Sequence, residues 1–228
     1  MSDIPKHIVL FPDGNRRWAL KNHLSIQEGY IKGKDKFNEF LKWCKYRGVT
    51  VVTVFGFSSE NWKRPQDQVD FLMHVFEKYL GEGIGIFNQE KVCVRVIGDR
   101  TNLPGSLKKV IDKVEESTKK NDKLYLNLAV SYGGKWDIVN AVKRIIKDKV
   151  DPEKVTESLF EKYLSTGGLP IPDLVIRAGG EVRLSNFILW QAAYAELYFS
   201  PKLWPDFVEE DLDIALKEFK DRQRRFGS

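Results

Sequence analysis

The stretch HIVLFPDGNRRW, residues 7–18, decides the fold: an apolar run stops at a proline, an Asp-Gly pair turns the chain, and helix-compatible residues follow. The run is apolar at successive positions rather than alternating, which suits a parallel strand covered on both faces. Working outward, the same signature recurs in TVVTVFGF (residues 50–57), VCVRVIG (92–98), LYLNLAV (124–130), DLVIRAG (173–179) and ELYFS (196–200). Helical periodicity occupies residues 28–46, 67–80, 106–121, 135–147, 152–163 and 209–222. This βαβα rhythm predicts an α/β fold with a mostly parallel sheet of about six strands and helices on both faces. A length of 228 residues suits one domain over residues 1–228.

Composition narrows the function classes. An apolar share of 42% excludes long disordered stretches, and a formal charge of +5, from 37 basic and 32 acidic residues, favours anionic ligands without demanding nucleic acid. The lysines are spread along helical faces instead of forming a stripe, so no nucleic-acid partner is expected. Cys44 and Cys93 lie in apolar runs away from any metal-ligand spacing and read as reduced core thiols. The N-terminal residues carry no secretory pattern and no apolar run approaches membrane-spanning length, so a cytoplasmic protein is expected. His7, His23 and His74 do not pair at metal spacing, and no Ser-His-Asp or Cys-His constellation is readable.

Open parallel sheets bind ligands beyond the carboxyl ends of their strands, so the strand-end loops are the place to look for chemistry. After the first strand, Asp13 can hold magnesium, Gly14 lets backbone N–H groups approach an anion, and Arg16 and Arg17 add forked positive charge. The loop lacks the Gly-Lys-Ser/Thr of a P-loop. FSSENWKRP, residues 57–65, gathers Phe57, Ser58, Glu60, Asn61, Trp62 and Arg64 in one exposed loop, part of which is explained as a cap ahead of a helix start at Pro65. RAGGEVRLS, residues 177–185, sets Arg177 and Arg183 around a glycine pair with Ser185 beyond, a combination suited to a second diphosphate or to ion pairing with Glu181. The helix expected over 67–80 is apolar around more than half its circumference, either from burial between two layers or because one side lines an apolar cavity.

Taken in order, DGNRRWA, FSSENWKRP, SYGGKWDIV, VIRAGGEVRLSNFILWQAAYAELYF, LWPDF and RRFG resemble the cis-prenyltransferase family, typified by undecaprenyl diphosphate synthase, and the resemblance runs over residues 7–227. It implies a homodimeric sheet-and-helix fold with an apolar tunnel between sheet and helices. The implied reaction condenses isopentenyl diphosphate with an allylic diphosphate, with Mg2+ assisting departure of pyrophosphate. By motif position, Asp13 is the implied metal carboxylate, with Glu196 of YAELYF as a second one. Gly14, Asn15, Arg16, Arg17, Trp18 and Tyr30 are implied around the allylic diphosphate, joined by Phe57, Ser58, Glu60, Trp62 and Arg64. Ser58 and Asn61 resemble a proton-removal and orientation network. Arg177, Arg183 and Ser185 match an isopentenyl diphosphate site, completed by Arg225 and Gly227 of the terminal Arg-x-Gly, which reaches across the dimer. The apolar product implies contact with a membrane from its cytoplasmic side.

Three departures from the family pattern fall on the allylic side and a fourth near the implied metal. Arg16 replaces a glycine of the usual DGNGRWA, Ile26 an arginine, Tyr30 the histidine of a Gly-His pair, and Val182 a histidine. A phenol titrates near pH 10, against about 6.5 for imidazole, so Tyr30 is no substitute for a proton-shuttling histidine. Arg16 is expected to supply the charge missing at Ile26. An atypical branch of the family shares Arg-Arg-Trp and Gly-Tyr and joins two dimethylallyl units head-to-middle into lavandulyl-type products. That branch lacks the ENW segment, whereas this chain keeps Glu60, Asn61 and Trp62, which favours regular cis elongation.

Overall fold

The computed structural model describes residues 4–222. Its six strands, β1 (His7–Phe11), β2 (Val51–Ser58), β3 (Val92–Ile97), β4 (Leu124–Tyr132), β5 (Leu174–Arg177) and β6 (Glu196–Phe199), form one sheet in the order β3-β4-β2-β1-β5-β6. Every neighbouring pair is parallel. Seven α-helices are described: α1 (Asn15–Lys21), α2 (Ile26–Tyr46), α3 (Gln66–Gln89), α4 (Gly105–Thr118), α5 (Gly134–Lys147), α6 (Glu157–Tyr163) and α7 (Glu209–Asp221). The chain leaves β1 toward β2 on one side and leaves β5 toward β6 on the other. Their directions diverge there, so a crevice opens between the carboxyl ends of β1 and β5, where Phe11 pairs with Arg177.

Alternate residues of the strands feed two cores. Ile8, Leu10, Val52, Val54, Leu126 and Leu128 meet Phe40 of α2, Leu72 of α3, Leu107 of α4 and Leu212 of α7. Val9, Phe11, Ala129 and Val175 face the other way, onto Phe187, Ile188 and Ala192. On that second face a polar chain crosses the sheet. The Asn127 side-chain amide donates to Thr53 Oγ1 (2.9 Å), which lies 2.7 Å from His7 Nε2, while His7 Nδ1 lies 2.7 Å from the Pro170 carbonyl. A carbonyl only accepts, so Nδ1 carries the proton and Nε2 accepts from Thr53. This arrangement needs neutral His7, and burial lowers its pKa to about 4 against smaller opposing effects of Pro170 and Asp173. Cys44 and Cys93 are buried free thiols, with Cys44 held protonated by burial.

Three helix boundaries differ from the sequence expectation. A separate short helix, α1, precedes α2, and Ser25 then opens α2 with a capping box to Glu28. α3 runs through Gly81, Gly83 and Gly85 to Gln89. Each glycine weakens a helix by about 1 kcal/mol, but Leu80, Ile84 and Phe87 continue the apolar stripe into the core and packing prevails. The helix expected over 152–163 is a 3-10 turn at Pro152–Lys154 followed by α6, because Thr156 caps the Leu159 amide and starts a new helix.

Candidate active site

One cavity of about 990 Å³ opens at the crevice beside β1 and β5 and runs inward between the sheet and α2 and α3. Its lining includes six cationic side chains, Arg16, Arg17, Lys34, Arg64, Arg177 and Arg183, against two carboxylates, Asp13 and Glu60, so the mouth is built for anions. Further in, the walls are apolar: Phe37, Val54, Leu72, Val75, Phe76, Tyr79 and Leu128. The apolar circumference of α3 is thereby explained, since Leu72 serves both core and cavity while Val75 and Phe76 face the cavity.

The loop after β1 is shaped by close backbone approach. Gly14 takes a φ of +104°, and a Cβ there would lie 2.8 Å from Leu203 Cδ2 and 3.2 Å from its Cα. The Asp13 carbonyl accepts from the Trp204 amide at 2.9 Å, which fixes the loop to the Leu203–Phe207 stretch. Asn15 begins α1, donates to the Pro12 carbonyl at 3.0 Å, and leaves its Oδ1 buried beside Gly33 without a partner among the described residues. Arg16 and Arg17, one step on, face the cavity.

Arg177 organises the loop after β5. It is almost fully buried, its guanidinium sits 4.9 Å from the centre of the Phe11 ring, and it donates to Asp13 Oδ2 (2.9 Å), to Ser185 Oγ (2.9 Å) and to the Arg183 carbonyl. Among the described residues its Nε has no partner. Glu181 accepts from Arg183 at 2.6 Å and lies 3.6 Å from Arg17, which lies 3.7 Å from Asp13. The ion pairing of Arg183 with Glu181 and the convergence of Arg177 and Ser185 are therefore both present, with a half-buried carboxylate set between the exposed Arg17 and Arg183. Val182 is exposed.

The segment after β2 closes the third side. Ser58 and Asn61 cap each other across the turn Ser59–Lys63, with the Asn61 amide donating to Ser58 Oγ (3.2 Å) and the Ser58 amide to Asn61 Oδ1 (3.1 Å). Both line the cavity. Arg64 donates to the Tyr30 hydroxyl at 2.9 Å, so the phenol oxygen is engaged as an acceptor and its own O–H is directed elsewhere. Partial burial raises the pKa of Glu60, but hydrogen bonds from Asn186 and from neighbouring backbone and hydroxyl groups outweigh it and keep the carboxylate below its ordinary value.

Six sequence-derived site residues lie away from the cavity or outside the described residues. Trp18 is not at the cavity: its indole N–H donates to Asp206 at 2.7 Å and holds α1 against the 3-10 turn Trp204–Asp206. Phe57 is wholly buried and packs edge-on against Trp62, whose indole N–H donates to Ser131 Oγ (2.9 Å), so this pair supports the turn from behind instead of lining the cavity. Glu196 does not join Asp13 within the chain. It begins β6 level with Leu174, at the far end of the strands, and its carboxylate is bound by Arg222 at 3.2 Å. Arg225 and Gly227 lie outside the described residues. Conversely, the cavity includes Lys34 and Asn186, which are not among the site residues that the sequence implies. Lys34 sits one helical turn after Tyr30, a spacing that carried the signal. Asn186 follows Ser185 with nothing in its local sequence to mark it.

Comparisons with known proteins agree with this geometry. Residues 11–227 match the Prenyltransf family model, described as "Putative undecaprenyl diphosphate synthase". An isoprenyl transferase of Fusobacterium nucleatum is 47% identical over 99% of this chain and 96% of its own length. The ditrans,polycis-undecaprenyl-diphosphate synthase ((2E,6E)-farnesyl-diphosphate specific) of Acinetobacter baylyi is 44% identical over 99% of this chain and 92% of its own. Among solved structures, lavandulyl diphosphate synthase from Lavandula x intermedia, in complex with dimethylallyl diphosphate, superposes with a TM-score of 0.94 at 35% identity, covering 99% of both chains. The chain belongs to the prenyltransferase family of undecaprenyl diphosphate synthase.

Proposed function

We propose that the protein condenses isopentenyl diphosphate with an allylic prenyl diphosphate to give a cis-prenyl diphosphate and pyrophosphate. One observation carries this reading: a single cavity has arginines and strand-end backbone at its mouth and aliphatic and aromatic side chains within, matching a substrate charged at one end and hydrocarbon at the other. In the reaction the allylic C1–O bond breaks and its electron pair leaves with pyrophosphate. The isopentenyl double bond attacks C1 through C4, and loss of a proton from C2 leaves the new Z olefin.

The residues divide this work by position. Gly14, Asn15, Arg16 and Arg17 take the allylic diphosphate at the start of α1, with Tyr30 and Arg64 on its flank. Arg177, Arg183 and Ser185 take isopentenyl diphosphate. Glu60, Ser58 and Asn61 stand between the two, where the reacting carbons meet and the proton departs. Positive groups already aimed at a leaving diphosphate stabilise the charge that develops on it. Asp13 fits a magnesium ion: its carboxylate is part-exposed at the cavity mouth, and among the described residues Oδ1 has only the 3.7 Å contact with Arg17. Bound there, Mg2+ would neutralise diphosphate charge as a Lewis acid. The apolar end of the cavity takes the growing chain, and we read the enzyme as a homodimer whose Arg225 and Gly227 complete a neighbouring site. No helix among the described residues is long and apolar enough to cross a membrane. We read the enzyme as cytoplasmic, handing its product to a membrane surface.

The structural likeness to lavandulyl diphosphate synthase, together with Arg16 and Tyr30, keeps head-to-middle branching as a second reading. Elongation is favoured because the ENW segment is retained and built in: Glu60 is bound to Asn186, Asn61 to Ser58 and Trp62 to Ser131. The test is to incubate the protein with Mg2+, radiolabelled isopentenyl diphosphate and, separately, dimethylallyl, geranyl and farnesyl diphosphates, and to size the products. Labelled, lengthened prenyl diphosphates are expected. Absence of label from every tube overturns the reading, and a branched C10 product from dimethylallyl diphosphate alone establishes the second.

A further inference from the structure

Asn186 stands where three loops from distant parts of the chain meet. Its φ of +60° lies in the left-handed region, which asparagine tolerates better than most residues. From that position its carbonyl accepts from the Gly134 amide (2.6 Å), its Oδ1 accepts from the Lys135 amide (3.0 Å), and its Nδ2 donates to Glu60 Oε1 (2.9 Å). The first two bonds satisfy donors at the start of α5, whose N-cap, Gly133, has no side chain to do so. Gly133 also makes the close approach feasible, because a Cβ there would lie 2.9 Å from Asn186 Nδ2 and 2.7 Å from Ser59 Oγ. The preceding residue, Ser185, is likewise left-handed and accepts from Arg177. A single residue therefore ties the Glu60 side of the cavity to the Ser185–Arg177 side, with the end of α5 as the fixed point.

Resting on the prenyl-transfer reading above, we propose that Asn186 is a positioning residue that sets the separation between Glu60 and the Ser185–Arg177 anion site, and so the register in which the two diphosphate substrates meet. Binding either substrate alone does not require that register. Carbon–carbon bond formation between them does, and a displacement of roughly 1 Å in such a step lowers the rate about a hundredfold.

A double-mutant cycle at residues 186 and 60 tests this. Asn186→Asp keeps an acceptor for Lys135 and tolerance of the left-handed backbone, but sets a second carboxylate against Glu60. Glu60→Gln keeps an acceptor for Asn186, and the double variant restores the contact with donor and acceptor exchanged. Expected results are a fall in kcat of about thirtyfold for Asn186→Asp, with the Kd for isopentenyl diphosphate alone, by calorimetry, changed by less than about threefold. In the Glu60→Gln background the same change should alter kcat by less than about threefold. Equal harm in both backgrounds, or wild-type kcat for Asn186→Asp, overturns the proposal. If Asn186→Asp does not fold, Asn186→Gly keeps the positive φ and removes only the side chain. A kcat loss at unchanged Kd then supports the proposal, and a Kd loss as large as the kcat loss overturns it. Failure of the wild-type protein to extend any primer counts instead against the prenyl-transfer reading itself.

Discussion

The loop after β1 and the loop after β5 present similar chemistry to the same cavity, yet they are built differently. In the first, Arg16 and Arg17 are exposed and no described hydrogen bond fixes either guanidinium. In the second, Arg177 is 4% exposed, bonded to two side chains and a carbonyl, and followed by left-handed backbone at Gly179, Gly180, Ser185, Asn186 and Ile188. A fixed site suits a partner that never changes, and an adaptable one suits a partner that does. On the proposed reaction, isopentenyl diphosphate is the same in every cycle while the allylic chain lengthens. Of the positions that differ from the family pattern this sequence resembles, Arg16, Ile26 and Tyr30 fall on the adaptable side and Val182 on the fixed one.

The sharpest way to break this contrast is at its rigid pole. Arg177→Ala should lower kcat/KM by about a thousandfold and lower the melting temperature as well, because Asp13 and Ser185 lose their shared donor and a buried charge contact is broken. Steady-state kinetics with both substrates, alongside thermal unfolding, check this; a loss confined to the allylic KM would mean that the two loops are not different in kind.

The second effect is on stability and enters through the base of β5. His7 holds the Pro170 carbonyl just before that strand, and its pKa is lowered from 6.5 to about 4. A group whose folded pKa lies below its unfolded value binds more protons when unfolded, so its contribution is full above pH 6.5 and is lost as pH falls toward 4. The loss is about 3 kcal/mol, or roughly 6–12 °C in melting temperature for a chain of this size. Melting curves from pH 8 to pH 4 should show it, flattened in His7→Gln. An equal slope in that variant would assign acid lability to the carboxylates of the loops.

Smaller effects are expected on the adaptable side. Arg16→Gly should raise the allylic KM about tenfold, a loss of about 1.4 kcal/mol, and leave the KM for isopentenyl diphosphate unchanged; an unchanged allylic KM would remove the compensation argument for Ile26. Tyr30→Phe removes the acceptor for Arg64 and should raise the allylic KM by about threefold, with the same selectivity between substrates and no new ionisation near pH 6.5 in the kcat profile.

The sequence makes the strands legible because apolar runs ending in Gly, Asp or Ser have few other uses, and the strand-end rule then identifies the loops that carry Asp13, Arg64 and Arg177. It is less informative wherever a role depends on direction. Trp18 and Phe57 belong to cavity-forming segments but point away from the cavity, one to Asp206 and the other into the core. Glu196 lies in a motif of the site's own family, yet parallel register places it at the opposite end of the sheet. Asn186 is illegible for the converse reason: its three bonds join residues 60, 134 and 135, separations that no local pattern records. The continuation of α3 through three glycines was hidden because propensity is local and the packing of Phe87 is not.

At Gly56, β2 shifts register between Phe55 and Phe57, and a Cβ on that glycine would sit 3.1 Å from Phe76 and from Leu128, both walls of the cavity. The usable depth of the enzyme is thus written partly in an atom that is missing. One substitution at this position, to alanine, would narrow the passage without touching a charged group at its mouth. On the proposed reaction, that change is expected to shorten the longest product while the groups that make each bond stay as they are.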